Sequence, residues 1–514
     1  TGWYFLRQGT DTMSKMPSAL VIGAGFGGIA SALRLRAKGY RVTLLDRCSR
    51  LGGRAQVFER GGFRHDAGPT VITAPFLFDE LFSLFGEDRR DEVEFVPLSP
   101  WYRFHFSNGG IFDYGGSVED TESEITRFSP DDVQGYRSLL EASRRRFDIG
   151  FTQLADHPFH SLKDMGRQIP HLAKLRADRS VYDLVSRHIK HDDLRQAFSI
   201  QPLLVGGNPF DTSNIYSLIH YLERKWGVFF AMGGTGAIVD ALERLMVKAG
   251  IQIELNRTVE RLCIHDRTVT GAVVKDRKRI DADLVVSNVD PNYLFRSMIQ
   301  KKDQPLSLRL KRKFTRLSMG LFVLFFGSTR KYPDVAHHTI WLGPRYKELL
   351  EDIFQKKTLA EDFSLYIHRP TATDPSFAPA GMDSFYVLAP VPNLTADIDW
   401  GTEAPRLMSR ILTALEKNLL PGIRQNLVDP FWMTPDDFSH DYLSEAGAGF
   451  SGSPVLSQSA WFRFHNRAEG IRNLYLTGAG THPGAGLPGV LSSAKVVDKL
   501  IPRCRDSSAL GGAV

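Results

Sequence analysis

The sequence is poor in cysteine. Its 514 residues include only Cys48, Cys263 and Cys504, and no two of them form a CxxC pair. Disulfide frameworks and tetrahedral zinc sites need several cysteines at short spacings. These three positions lie far apart in the chain, so we expect neither arrangement. A reducing compartment and no metal site are the expectations that follow.

The sequence also lacks a long apolar run. A membrane-spanning helix needs about 18 to 20 consecutive apolar residues. The longest candidate, residues 319–327, is far shorter and is typical of a buried strand. Residues 1–16 lack the charged-then-apolar order of a secretory signal. We expect them to be a disordered extension ahead of the first strand.

Neither sign of charge dominates the chain. Lys and Arg number 64 against 58 Asp and Glu, which gives a formal net charge of +6. Because the two signs are interspersed, the excess slightly favours an anionic partner such as a membrane surface and gives no argument for nucleic acid. The length predicts about two or three domains. A hydrophobic share of 42% is that of a folded chain.

Glycine, by contrast, is clustered. Gly23, Gly25 and Gly28 form GxGxxG between a predicted strand at 18–22 and a predicted helix at 29–38. This spacing gives a tight turn, a close backbone approach for a pyrophosphate and close packing of helix on strand. Glycines also serve ordinary turns, but a second strand at 42–45 ends at Asp46, where a carboxylate bonds the ribose of a dinucleotide. The unit therefore predicts a dinucleotide site.

Two further glycine clusters support this prediction. Gly53 and Arg54 follow Asp46 closely and combine a close backbone approach with a cation for a pyrophosphate. Residues 473–489 then hold five glycines and two prolines. This segment joins a predicted strand to a helix at 491–500, whose N-terminus favours negative charge. The nucleotide-binding elements thus come from both ends of the chain.

The predicted fold class is α/β, or α+β taken overall. Residues 17–77, 232–300 and 453–505 would form a discontinuous Rossmann-like domain that binds the dinucleotide. Residues 78–231 contain more helix, basic residues and aromatic residues, and would form a substrate and membrane-associating region. Residues 301–452 would form a substrate domain on a mixed sheet.

Four motifs identify a family resemblance. They are GAGFGG, LGGRA, RHDAGPT and the tail GAGTHPGAGLPG, which lie within a likeness that runs from residue 18 to about residue 501. Together they resemble the bacterial and fungal type of phytoene desaturase, an FAD-dependent carotenoid dehydrogenase of the amine-oxidase-like flavoprotein superfamily. The resemblance implies FAD as the cofactor.

The resemblance also implies a role for individual residues. Asp46, with Arg47 next to it, would bond the adenosine ribose. Gly53 and Arg54 would hold the pyrophosphate. Val259 would contact adenine through its backbone. The residues expected around the isoalloxazine are Thr70, Val71, Gly480, Pro488, Gly489 and Val490.

The implied substrate is a C40 carotene such as 15-cis-phytoene, taken from a membrane, with a quinone or oxygen as the electron acceptor. We expect a peripheral protein on the cytoplasmic side of the cell membrane. Residues 171–198, together with Arg144, Arg145 and Arg146, mix apolar and basic side chains and are the candidate membrane surface. A carotene needs an apolar tunnel. We assign about a third of one set of aromatic residues to its wall: Trp101, Tyr102, Phe104, Phe106, Tyr216, Tyr221, Trp226, Phe229 and Phe230.

Desaturation of a CH₂–CH₂ pair needs an acceptor for a hydride equivalent, which a flavin provides, and an acceptor for a proton. Asp148 and His482 are nominal candidates for the proton acceptor, with a purely structural role as the alternative for each. Two other functions stay open. One is a flavin amine oxidase-like enzyme, and the other is a non-catalytic lipid escort on the same fold.

Overall fold

The computed structural model describes residues 16–159 and 162–504. The predicted extension at 1–16 therefore lies almost wholly outside the described residues. In chain order the strands are β1 Ser18–Ile22, β2 Arg41–Leu45, β3 Val57–Arg60, β4 Phe63–Asp66, β5 Phe95–Pro97, β6 Tyr102–His105, β7 Ile111–Tyr114, β8 Phe229–Ala231, β9 Gln252–Glu254, β10 Val259–His265, β11 Thr268–Val274, β12 Arg279–Asp281, β13 Leu284–Ser287, β14 Gly320–Ser328, β15 His338–Trp341, β16 Leu365–His368, β17 Asp383–Val391, β18 Leu427–Met433 and β19 Leu474–Leu476.

The α-helices of six or more residues are α1 Phe26–Ala37, α2 Phe76–Ser83, α3 Val118–Phe128, α4 Val133–Phe147, α5 Leu162–Lys174, α6 Val181–His188, α7 Asp192–Phe198, α8 Leu218–Trp226, α9 Gly234–Lys248, α10 Leu306–Phe314, α11 Tyr346–Glu351, α12 Trp400–Asn418, α13 Pro435–Asp441 and α14 Leu487–Leu500. None of the helices within the described ranges has the length and apolarity needed to cross a membrane.

A five-stranded parallel sheet forms the first layer, in the order β19-β13-β1-β2-β9. Its strands come from the start, the middle and the end of the chain, which confirms the discontinuous Rossmann-like fold. In β1, Ala19 and Val21 pack among the residues of α1, α9 and α14, whereas Leu20 and Ile22 pack against the sheet β10-β11-β12. This two-residue alternation buries both faces of the sheet.

A seven-stranded mixed sheet forms the second layer, in the order β18-β14-β17-β16-β15-β6-β7. All of its pairings are antiparallel except that of β15 with β6. In β14, Phe322 and Leu324 pack against α12, while Leu321 and Val323 lie on the opposite face. Strands β6 and β7 extend this sheet, so the segment 78–231 contributes strands to the substrate domain as well as helices.

The segment proposed from sequence as a membrane surface turns its apolar residues inward. In α6 and α7, Val185, Leu194 and Phe198 are fully buried. The guanidinium of Arg146 is also buried, where it donates to Asn214 Oδ1 and to two backbone carbonyls. Sequence periodicity shows that a helix is amphipathic but not whether its apolar face meets lipid or the core. Here the apolar face of α6 and α7 meets the core, so the apolar residues of these two helices are not the ones that would contact a membrane.

Candidate active site

One continuous cavity lies between the parallel sheet and the mixed sheet. Its volume is about 400 Å³. That volume lies within the range of about 300–1,000 Å³ that is typical of ligand-binding sites, so the cavity is a candidate binding site. One end is polar and lies at the carboxyl ends of β1, β2 and β13. The other end is apolar and lies against β14, β16 and β17.

Glycines bring the backbone close to the polar end. Gly23, Gly25 and Gly53 line it, and Gly28 packs α1 against the turn behind it. A Cβ on Gly25 would come within 2.7 Å of Asn288 Oδ1, so no larger residue fits there without displacing that side chain. No side chain caps the N-terminus of α1. The amides of its first turn therefore remain available to an anion.

Two charged side chains predicted for this end are in place. Asp46 lines the cavity and accepts hydrogen bonds from the amides of Ala24 (2.6 Å) and Cys48 (2.7 Å). A carboxylate has about four acceptor positions, so Asp46 both closes the glycine turn and keeps acceptor capacity for a ribose. The guanidinium of Arg54 donates to Ser444 Oγ at 2.7 Å. Burial lowers the pKa of Arg54, and the nearby carboxylate of Asp290 opposes that shift.

The other predicted cofactor residues divide into two groups. Val259 and Arg47 line the polar end, where the Arg47 guanidinium donates to the carbonyl of His440. At the junction with the apolar end, the wall includes Thr70, Val71, Gly480 and Val490. Pro488 and Gly489 lie in the first turn of α14, behind the wall rather than on it. No side chain caps this helix either, so its N-terminus also points free amides toward the cavity.

Sequence reasoning missed two residues after β13. Asn288 lies against Gly25 and Gly478 and donates to the carbonyl of Thr477. Asp290 is buried, and its Oδ2 has no hydrogen-bond partner in the described part of the chain. Polar residues at the carboxyl end of a parallel strand are the available signal, because ligands bind at that edge of such sheets.

The apolar end is built mainly from aliphatic side chains. Its wall includes Ile200, Leu203, Leu204, Met319, Leu321, Ile340, Leu342, Leu365, Leu388, Phe438 and Phe450. None of the aromatic residues that sequence analysis assigned to a tunnel wall lies there. Tyr102, Phe104 and Phe230 are instead fully buried in the core. That assignment was wrong because composition does not tell a core aromatic from a cavity-lining one.

The structure places both nominal proton acceptors away from this cavity. Asp148 has a side chain that is 50% exposed and faces Arg144 at 3.7 Å. His482 is buried, and one ring nitrogen bonds the carbonyl of Leu154 at 2.9 Å. Burial lowers the pKa of His482 to about 4, so its imidazole is neutral at pH 7. Neither side chain lines the cavity, and residue type alone could not reveal this.

The residues at the polar end fit FAD. Two helices of 12 and 14 residues direct uncapped N-termini at the cavity, where they favour a pyrophosphate and the negative charge of a reduced flavin. Arg54 supplies a cation between them, and Asp46 supplies a ribose acceptor. The orphan acceptor of Asp290 and the close approach allowed by Gly25 indicate a ligand with hydroxyl groups pressed against the backbone. The fold and the site together define a flavin-dependent oxidoreductase.

Comparison with known proteins gives the same class. The family model for flavin containing amine oxidoreductases matches residues 26–497, and the chain belongs to that family. A cyclohexylamine oxidase from Brevibacterium oxydans has a similar fold, with a TM-score of 0.62 at 13% identity over 96% of this chain and 100% of that one. At that identity the likeness shows the fold alone.

Closer relatives narrow the class to the phytoene desaturases. A lycopene-forming phytoene desaturase of Pantoea ananas is 47% identical over 487 residues, which are 95% of this chain and 99% of the relative. A neurosporene-forming phytoene desaturase of Rhodobacter capsulatus is 43% identical over 97% of this chain and 95% of the relative. The resemblance seen in the sequence is thereby confirmed, as are FAD as the cofactor and an oxidoreductase acting on CH–CH groups.

Proposed function

We propose that this chain desaturates 15-cis-phytoene, with FAD as the oxidant, to more conjugated carotenes of the neurosporene or lycopene type. The observation that carries the proposal is the continuity of the cavity, in which a dinucleotide end opens directly into an aliphatic chamber. FAD, when bound, supplies the acceptor for a hydride equivalent. The relatives named for lycopene and neurosporene formation support the same substrate.

The chamber suits a hydrocarbon better than an amine. The charged groups on the cavity wall, such as Asp46, Arg54, Asp290 and Asp441, lie toward the dinucleotide end. The aliphatic side chains at the other end exclude water and select by shape, since a carotene offers no hydrogen bond. An amine would leave its polar group unpaired among leucines, which disfavours the amine oxidase alternative. The intact dinucleotide end disfavours a lipid escort, which needs no oxidant.

The test is desaturation by the purified, FAD-loaded protein. With phytoene in lipid vesicles, we expect a yellow protein whose flavin absorption bleaches under anaerobic conditions while longer-wavelength polyene absorption appears. Product chromatography distinguishes neurosporene from lycopene. A protein that binds FAD but leaves phytoene unchanged, while it oxidises primary amines, would instead favour the amine oxidase alternative. A colourless protein that cannot be reconstituted with FAD would favour the escort.

We also propose a peripheral membrane location on the cytoplasmic face of the cell membrane, because phytoene partitions into lipid. Support comes from α10, where Leu306 is 65% and Phe314 is 70% exposed. The Lys311 ammonium anchors this helix through Glu469 at 2.5 Å and the carbonyl of Arg463 at 2.9 Å. Leu310 and Phe314 consequently remain exposed beside three basic residues that have no described carboxylate within 4 Å, namely Arg309, Arg312 and Lys313.

This α10 surface, defined by Leu306, Leu310, Phe314 and the three basic residues, predicts a loss of membrane binding on substitution. Changing Leu310 and Phe314 together to Gln should weaken binding to vesicles containing anionic lipid by at least about ten-fold. Each buried side chain of this size contributes about 1.5–3 kcal/mol. Vesicle co-sedimentation measures the effect, with Val247→Gln as the control because Val247 is 64% exposed on α9. Equal binding by the double variant and the control would contradict the proposed surface.

A membrane quinone or oxygen is the electron acceptor that we propose. Reduced FAD must be reoxidised before the next turnover, and a lipid-soluble quinone is available at the proposed location. The test follows multiple turnovers in vesicles with and without a quinone, under air and under nitrogen. Multiple turnovers under nitrogen and without a quinone would contradict the proposal that a quinone or oxygen is the electron acceptor.

A further inference from the structure

A hydrogen-bonded chain leaves the cavity at Tyr366. The Tyr366 hydroxyl lies 2.6 Å from Thr70 Oγ1 and 2.7 Å from His338 Nδ1. Thr70 and Tyr366 both line the cavity where its dinucleotide and apolar ends meet, while His338 is fully buried behind them. Strands β15 and β16 pair antiparallel with His338 opposite His368, which fixes this arrangement in the sheet.

Behind Tyr366 lies a cluster of three buried imidazoles, His337, His338 and His368. One ring nitrogen of each lies within 4.8 Å of the others, and the His337 and His338 ring centroids are 4.6 Å apart. The Nε2 atoms of His337 and His338 have no hydrogen-bond partner in the described part of the chain. Leaving a buried polar atom unpaired costs about 1–3 kcal/mol. Packing alone would favour apolar side chains here.

The far end of the cluster reaches the surface. His337 Nδ1 lies 2.7 Å from Thr373 Oγ1, and Thr373 is partly exposed. From the cavity to the solvent the order is therefore Tyr366, His338, His337 and Thr373. The two imidazoles are not hydrogen-bonded to each other among the described residues, so a relay through them needs rotation of one ring or one bridging water.

We propose that Tyr366 is the proton acceptor of the desaturation, and that His338, His337 and Thr373 pass this proton to the solvent. The proposal rests on the proposed function. When CH₂–CH₂ becomes CH=CH, one hydrogen leaves with its electron pair to FAD, and the second leaves as a proton while its bonding electrons form the new double bond. That proton binds Tyr366 Oη as the hydroxyl's own proton passes to His338 Nδ1.

The transfer then continues through the two imidazoles. His338 releases the proton from Nε2, His337 accepts it at Nε2 and releases one from Nδ1, and Thr373 passes its hydroxyl proton to water. Burial raises the pKa of Tyr366 well above its ordinary value and lowers the pKa of His338 to about 3. Both groups therefore stay neutral between transfers and do not trap the proton.

Other cavity groups are less suited to the role. Asp46, Asp290 and Asp441 lie toward the dinucleotide end of the wall, apart from the chamber that would hold the carotene. Tyr386 lines the chamber, and burial raises its pKa, but its hydroxyl makes no hydrogen bond to a histidine among the described residues. Tyr386 is consequently a matched control for Tyr366.

The experiment compares Tyr366→Phe, His338→Asn and the control Tyr386→Phe in FAD-loaded protein during one anaerobic turnover on phytoene. We expect Tyr366→Phe to form product about 10²-fold more slowly, since a positioned proton acceptor contributes roughly 10²–10⁴-fold. His338→Asn retains an oxygen near the position of Nδ1 but cannot pass a proton on, so a loss of about ten-fold or more is expected. Because Tyr386 also lines the chamber, its variant is compared with Tyr366→Phe rather than with the wild type, and Tyr386→Phe should lose at least about ten-fold less rate than Tyr366→Phe.

Two readouts separate proton transfer from a structural role. The slowing in D₂O should be smaller for Tyr366→Phe and His338→Asn than for the wild type, because the exchangeable protons of the relay no longer move in the step. A pH indicator in weak buffer should show one proton per new double bond. FAD content and melting temperature should match the wild type in all three variants. Wild-type rates and an unchanged D₂O effect in Tyr366→Phe would overturn the proposal, as would an equal loss in Tyr386→Phe.

A metal analysis provides an independent check. About one tightly bound metal ion per purified chain, lost in His368→Gln, would overturn the relay because the metal would occupy the imidazole nitrogens. A wild-type protein that fails on phytoene contradicts the proposed function. If the wild-type protein desaturates phytoene and Tyr366→Phe does so at the same rate, only the proposed relay is contradicted.

Discussion

Replacement of Gly28 by Ala should abolish FAD retention. A Cβ on Gly28 would lie 1.9 Å from the carbonyl oxygen of Gly23, which belongs to the turn between β1 and α1. Gly23 has φ +93°, a conformation that holds this carbonyl against the helix. The Cβ has a position fixed by the backbone of residue 28, and its contact is a backbone carbonyl oxygen. No side-chain rotation can therefore relieve the overlap. The N-terminus of α1 must move, and the amides that would bind the pyrophosphate move with it.

We expect Gly28→Ala protein to purify with less than about a tenth of the wild-type flavin and to be destabilised by about 3 kcal/mol, the upper part of the overpacking range. Flavin absorbance per chain and thermal melting measure the two effects. Gly166→Ala is the control because no atom of the described residues lies within 4 Å of its Cβ position on α5. It should retain FAD and gain about 0.5–1 kcal/mol, since alanine is the better helix former. Yellow, stable Gly28→Ala protein would contradict the predicted site.

Replacement of Arg54 by Met should lower FAD affinity by about 10- to 150-fold. That range corresponds to the loss of one hydrogen bond between charged groups, about 1.5–3 kcal/mol. The Arg54 side chain reaches the cavity from a short turn, Gly53–Ala55, and Ser444 holds its guanidinium in place. Burial lowers the pKa of Arg54 and the Asp290 carboxylate opposes that shift, so a bound pyrophosphate would further favour the charged guanidinium.

Fluorescence titration of FAD into the apoprotein measures this effect. Arg54→Lys should fall between the wild type and Arg54→Met, because an ammonium keeps the charge but loses the planar, two-pronged donor geometry. Arg50→Met is the matched control, since Arg50 is exposed on the same loop, four residues earlier. It should bind FAD as the wild type does. Equal affinity of Arg54→Met and Arg50→Met would place the pyrophosphate elsewhere.

The dinucleotide end could be predicted from sequence because its signals are local. Gly23, Gly25, Gly28 and Asp46 lie within one strand–helix–strand unit, and the backbone geometry of that unit leaves little freedom in where they point. The cofactor-binding role of the segment from residue 473 could also be predicted, because a glycine-rich turn between an ordered strand and a helix is rarely found for other reasons. The fold class followed from the same two ends.

The chamber could not be predicted in this way. Leu388 on its wall and Phe104 in the core are both apolar residues within strands, and composition assigns them the same environment. For the same reason, sequence did not show which apolar helix faces are exposed. The helices α6 and α7 bury their apolar face, whereas α10 exposes its apolar face. Asp148 and His482 were chosen for their chemistry, but chemistry carries no information about distance from a cavity.

By itself, the sequence determined an FAD-dependent oxidoreductase of the carotene desaturase kind, because the cofactor site depends on residues a few positions apart. Only the tertiary structure decided where the proton could go. Thr70, Tyr366 and His338 are brought into one hydrogen-bonded chain by strand pairing across the mixed sheet and by its contact with the loop after β4. The pair His337 and Thr373 lies beyond one gap from this chain. Contacts between residues that are far apart in the sequence produce no local sequence pattern, because they depend on how apolar surfaces from distant segments pack together.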